Sequence, residues 1–137
     1  MLIVSIFLIT ISLHSAVTIH PQSESAISID ALQWQEMVPG VAFAPTHGDW
    51  NEGAHGKYVS IVKDAVVPMH THSAGYHAVF ISGKMTNLYS DGGRLHLSPG
   101  DYFQIDAMQP HAHDCTSDEP CVFYTYSDQA WDIQIKE

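Results

Sequence analysis

From Ala31 onward, apolar and polar positions alternate with a period near two, and Gly, Pro, Asn or Asp breaks the alternation about every eight to twelve residues. That rhythm predicts short antiparallel strands at 41–44, 56–63, 65–72, 77–82, 84–89, 94–97, 101–105, 111–115 and 121–126. The breaks carry turn chemistry. Ser90-Asp91-Gly92-Gly93 tolerates positive φ and suits a hairpin, Ser98-Pro99-Gly100-Asp101 sets one φ with Pro and frees another with Gly, and Ser82-Gly83-Lys84 is a third glycine-centred turn. Residues 29–37 fit either a short helical turn or an edge strand. No long helical stripe, internal repeat or low-complexity tract interrupts this pattern, so the chain is expected to be all-β, a sandwich or barrel.

The first residues stand apart. Positions 2–13 form an uncharged apolar run, followed by Ser15 and Ala16, as in a secretory signal. The run is shorter than the roughly 20 residues of a membrane span. No Lys or Arg precedes it, which leaves an uncleaved anchor or a buried strand as alternatives. The expected organisation is a signal over 1–20, a polar linker over 21–33, and one domain over 34–137, placed in the periplasm or outside the cell. No stable membrane span is expected after cleavage.

The 137 residues carry five Lys plus Arg against fifteen Asp plus Glu, a formal net charge of −10. With no basic patch, nucleic acid is a poor partner. Cys115 and Cys121 flank the polar turn Thr116-Ser117-Asp118-Glu119-Pro120 between two strand-like segments. In an oxidising compartment they suit a disulfide; two reduced thiols or a shared metal site are the alternatives.

Five of the ten histidines fall in two short segments, Pro68–His77 and Pro110–His113. His70 and His72, two apart on a strand, turn their rings to the same face, and His111 with His113 does the same. Converging neutral imidazoles are what a divalent transition metal such as Zn, Fe, Mn or Ni needs. His96, between Leu95 and Leu97, alternates outward, and His47 and His55, in a Gly-rich stretch, are expected to meet solvent, with the barrel mouth as the alternative. Trp34, Phe43, Tyr102 and Phe103 are expected to pack the core. No nucleophilic Ser or Cys constellation and no phosphate loop is present.

These residues resemble the cupins, small jelly-roll β-barrels with the motifs Gly-(x)5-His-x-His-(x)3,4-Glu-(x)6-Gly and Gly-(x)5-Pro-x-Gly-(x)2-His-(x)3-Asn. His70-Thr71-His72 fills the His-x-His, Gly83 closes the first motif, Gly100 opens the second, and His111 follows at the motif's spacing. The departures are several. Lys63-Asp64 replaces the opening glycine, Asp106 and Met108 stand for Pro and Gly, and Cys115 stands for Asn. The glutamate is missing. The count back from Gly83 puts Tyr76 in its place, whereas ligand chemistry favours His77. More narrowly, Trp34, Pro39-Gly40-Val41, Tyr76-His77 and Glu119-Pro120-Cys121-Val122-Phe123 are similar to an often exported cupin subfamily related to the zinc-binding cupin of ChrR-type anti-sigma factors.

The resemblance implies a single antiparallel jelly-roll barrel with a divalent metal on His70, His72, His77 and His111. Tyr76 and His113 would serve as hydrogen-bond donors or substrate contacts in catalysis. Such a site fits a metal-dependent oxygenase or lyase acting on a small, anionic molecule, or a metal-binding or sensing module without turnover; a homodimer stays open.

Overall fold

The computed structural model describes residues 26–136. The expected signal over 1–20 and the first five residues of the linker, 21–25, lie outside them. A single 3-10 turn, Ile29–Ala31, is capped by the Ser28 hydroxyl, which accepts from the Asp30 N–H. Eleven strands follow: β1 Gln35–Val38, β2 Val41–His47, β3 His55–Ile61, β4 Val67–Thr71, β5 Tyr76–Ser82, β6 Met85–Tyr89, β7 Arg94–Leu97, β8 Tyr102–Ile105, β9 His111–Cys115, β10 Cys121–Ser127 and β11 Gln134–Ile135. Segment 29–37 thus holds both elements the pattern allowed, a helical turn and an edge strand. No helix among the described residues is long and apolar enough to cross a membrane.

The strands form two antiparallel sheets, β1-β2-β3-β10-β5-β8 and β11-β4-β9-β6-β7, facing each other as a barrel. Alternation decides what points inward. On β5, Tyr76, Ala78 and Phe80 are buried while His77 and Val79 are exposed; on β10, Cys121, Phe123, Thr125 and Ser127 are buried. Phe80, Met85, Leu97, Phe103 and Ile105 pack as continuous core. Phe43 joins this core, but Trp34 and Tyr102 do not: they are 40% and 61% exposed, Trp34 in a stretch exposed throughout before β1 and Tyr102 on the outward phase of β8.

Cys115 and Cys121 are disulfide-bonded. The two strand-like segments that flank their turn do not pair with each other. Cys115 pairs with Met85 in one sheet and Cys121 with Ile61 in the other, so the bond joins the two sheets.

The glycine positions of the two motifs keep their backbone shape even where glycine has gone. Gly83 and Gly100 have φ of 85° and 97°, and the only non-glycine residues with positive φ among those described are Asp64 (64°) and Met108 (62°). These two stand where the motif glycines would. Left-handed backbone costs a non-glycine residue roughly 1–2 kcal/mol, and the fold carries that cost because the turns fix where β4 and β9 begin.

Candidate metal centre

Strands β4 and β9 lie side by side with His70 directly opposite His111. Each strand carries a second inward histidine two residues on, His72 just beyond β4 and His113 on β9. All four are buried, with relative exposures of 7% or less. The His70 and His111 ring centroids are 4.3 Å apart, and His72 lies 4.8 Å from His70 and 5.0 Å from His111. One nitrogen from each of His70, His111 and His113 lies within 4.8 Å of those of the other two. Small side-chain rotations bring such a set to the roughly 2.0–2.1 Å that a metal–imidazole bond requires.

The hydrogen bonds decide which nitrogen is available. His70 Nδ1 donates to the Pro68 carbonyl (2.8 Å), His72 Nδ1 to the Asp132 carbonyl (2.5 Å), His111 Nδ1 to the Gln109 carbonyl (2.9 Å) and His113 Nδ1 to Asn87 Oδ1 (2.7 Å). A carbonyl oxygen only accepts, so Nδ1 carries the proton and Nε2 keeps its lone pair. This is the outer support that metal-binding imidazoles use to fix tautomer and ring direction. Burial also favours neutral rings, pushing His72 down to about 3, His111 to about 4, His70 lower than usual and His113 well below its ordinary value. Neutral nitrogens of His70, His111 and His113 that converge, with the neutral His72 ring beside them, in an apolar pocket fit a divalent transition metal.

Tyr76 enters from the opposite sheet. Its hydroxyl lies 3.5 Å from Nε2 of both His111 and His113. Burial raises its pKa, so the phenol stays protonated and acts as a donor.

His77 is not in this cluster. Its ring lies on the outer face, 2.5 Å from the Tyr102 hydroxyl and stacked on that ring. The reason is register: with Tyr76, Ala78 and Phe80 inward, the residue between Tyr76 and Ala78 must face out. His113, expected as a donor or substrate contact, instead stands among the converging nitrogens.

Several residues here went unforeseen. The segment after β10 folds back over the site, where Trp131 stacks on His72 at 4.1 Å and Asp132 Oδ1 accepts the Ser73 N–H at 2.7 Å. Strand β11 then pairs with Thr71 and His70. Asn87, opposite His113 on β6, is fully buried. His55, expected at the surface, is 1% exposed and accepts from the Lys57 ammonium (3.0 Å). The signal for both was the inward phase of β3, His55-Lys57-Val59-Ile61.

His70, His72, His113 and Tyr76 border a cavity of about 450 Å³ that is otherwise almost wholly apolar. Phe43, Val59, Phe123 and Trp131 form its walls, and Lys57 is the sole charged side chain lining it.

Two facing antiparallel sheets with paired His-x-His segments on adjacent inner strands define a double-sheet β-barrel with an imidazole cluster inside. The chain belongs to the cupin family: the family described as "Cupin domain" matches residues 57–126, just over half of the sequence. Its fold is similar to that of KdgF from Halomonas sp., at 21% identity and a TM-score of 0.63 over 76% of this chain and 94% of that one. It is also similar to the polyketide cyclase RemF from Streptomyces resistomycificus (14% identity, TM-score 0.70, 84% of this chain and 87% of that one). An RmlC-like cupin from Shewanella frigidimarina aligns at 16% identity with a TM-score of 0.64 over 80% of this chain and 94% of that one. No protein with a curated description matches the sequence.

Proposed function

We propose that this cupin is an exported protein that holds one divalent transition metal on His70, His111 and His113, with His72 as a fourth nitrogen, and binds a small molecule in the adjoining cavity. The observation that carries this reading is the convergence of nitrogens from His70, His111 and His113, with all four Nδ1 atoms engaged so that each Nε2 keeps its lone pair. A metal bound there would supply Lewis acidity to a ligand oxygen. With neutral imidazoles alone its charge would be uncompensated, which favours anionic ligands. The chain's own contributions are to exclude water with the apolar wall and to donate a hydrogen bond from Tyr76 toward that ligand.

The disulfide, the apolar run at 2–13 and the likeness to ChrR-related exported cupins support export to an oxidising compartment. The fold is shared with a polyketide cyclase, a DMSP lyase and a salicylate 1,2-dioxygenase, which supports an enzyme of lyase or oxygenase type acting on a small acid. The closeness of His72 to His70 and His111 favours a second reading: four protein nitrogens close the coordination sphere and make a sensing or scavenging module without turnover.

Elemental analysis after dialysis against Zn, Fe, Mn or Ni is expected to find about one ion per chain, as a single site of this type requires. Chains that retain no ion from any of these solutions would overturn the proposal.

A further inference from the structure

Lys57 is the group this site does not use. It lies on the inner face of β3 with 1% exposure, in phase with Val59 and Ile61. Its ammonium sits 3.7 Å from the Trp131 ring centroid and 5.5 Å and 5.8 Å from those of Phe43 and Trp50. Its one hydrogen-bond partner among the described residues is His55 Nε2, whose Nδ1 donates to the Gly53 carbonyl at 2.9 Å. No carboxylate among the described residues lies within ion-pair distance, since the one such pair is Lys63 with Asp118 at the surface. A buried ammonium without a counter-charge is costly, and three aromatic faces with one imidazole offset only part of that cost. Burial accordingly draws its pKa down to about 7.

The cavity's charge distribution is one-sided. In a chain of net charge −10, no Asp or Glu lines the cavity, whereas Lys57 does. Its mouth is ringed by apolar side chains open to solvent, among them Val66 (78% exposed), Ile135 (58%) and Val38 (50%). An acid group entering here finds one cationic side chain, and an apolar body finds the walls.

We propose that Lys57 is a second anchor of the cavity, holding the acid group of an amphipathic carboxylate whose apolar body fills the space between β3, β4 and Trp131. The flexible four-carbon stem lets the ammonium turn from the indole face to the acid. Trp131 touches both Lys57 and His72, so the same ring borders both ends of the bound ligand. This assignment rests on the reading of the cavity as a small-molecule site, but not on occupation of the metal centre.

The test compares hexanoate with its neutral amide, hexanamide, by calorimetry on the full chain, both metal-free and zinc-loaded. In metal-free protein Lys57 is the sole charged side chain lining the cavity, and a charge-assisted contact is expected to give hexanoate about a tenfold advantage. Lys57→Met should reduce that advantage to within about twofold, the range of uncharged contacts, while leaving zinc stoichiometry unchanged. Should Lys57→Met fail to fold, Lys57→Gln carries the same readout. No preference for the acid in metal-free wild type, no binding of either probe, or a preference that survives the loss of Lys57 overturns the proposal. A chain that retains none of Zn, Fe, Mn or Ni yet keeps a Lys57-dependent preference would refute the metal reading and leave this one standing.

Discussion

Replacing His111 by alanine is expected to abolish stable metal retention, while replacing His77 leaves it intact. His111 is fully buried, sits opposite His70 across the β4–β9 ladder, and shares the Tyr76 hydroxyl with His113. Removing it takes away a nitrogen at the centre of the group rather than at its edge. Loss of an outer partner of a metal-bound histidine alone costs roughly 10–100-fold in affinity, so loss of the ligand itself should exceed about 100-fold. His70→Ala is expected to behave the same way. Competition against a chromogenic chelator measures each affinity, and thermal melting of the metal-free variants confirms that they fold. His77→Ala, whose ring meets Tyr102 on the outer face, is expected to match wild type. A weakened His77→Ala together with an unaffected His111→Ala would reverse the assignment.

Acid is expected to destabilise the metal-free protein already between pH 6.5 and pH 5, above the pH at which its carboxylates take protons. His72 and His111 are held at about 3 and about 4 by burial, against an ordinary value of 6.5. Below pH 6.5 the unfolded chain therefore binds protons that the folded chain refuses, and stability falls with pH until the folded values are reached. The window runs from 6.5 down to about 4 for His111 and about 3 for His72. Each unfolded ring, half protonated at pH 6.5, approaches a cost of about 1.4 kcal/mol per pH unit below it, so between pH 6.5 and pH 5 these two rings together remove about 3 kcal/mol. That is a large part of an ordinary domain's stability, which is about 5–15 kcal/mol. A bound metal opposes the effect, because it stabilises only the folded state and moves the acid transition lower. Urea titrations at pH 7 and pH 5, with and without a chelator, measure both effects. Equal stability at the two pH values without metal would show that these rings are not held neutral.

Much of this architecture was legible in the alternation of the chain. Strands β2 through β10 fall where period-two runs and turn residues place them, and the pairing of His70-Thr71-His72 with His111 follows from motif spacing. At the place of the missing glutamate, ligand chemistry and strand register select different residues. An imidazole is the better ligand, yet Tyr76 shares its phase with Ala78 and Phe80, and the pleat sends His77 outward. His113 was visible as the same-face neighbour of His111, but its role depends on Asn87, which only the β6–β9 register brings beside it.

Other features were harder to read. Lys57 and His55 share a face with Val59 and Ile61, a pattern obscured by the assumption that a lysine and a loop histidine meet solvent. The role of Trp131 and Asp132 depends on a chain reversal with no local signature. Strand β11 is two residues long and exists because the edge of β4 is there to pair with it. The positive φ at Asp64 and Met108 likewise follows from the fold, since neither residue type favours it strongly enough to announce it.

The most direct test is a crystal structure of the zinc-loaded protein with the ion located by anomalous scattering. The expected result is one ion at about 2.0–2.1 Å from Nε2 of His70, His111 and His113, with every Nδ1 still donating to its present acceptor. An ion bound elsewhere, such as beside His77 and Tyr102 on the outer face, with the inner imidazoles left uncoordinated, would contradict the account.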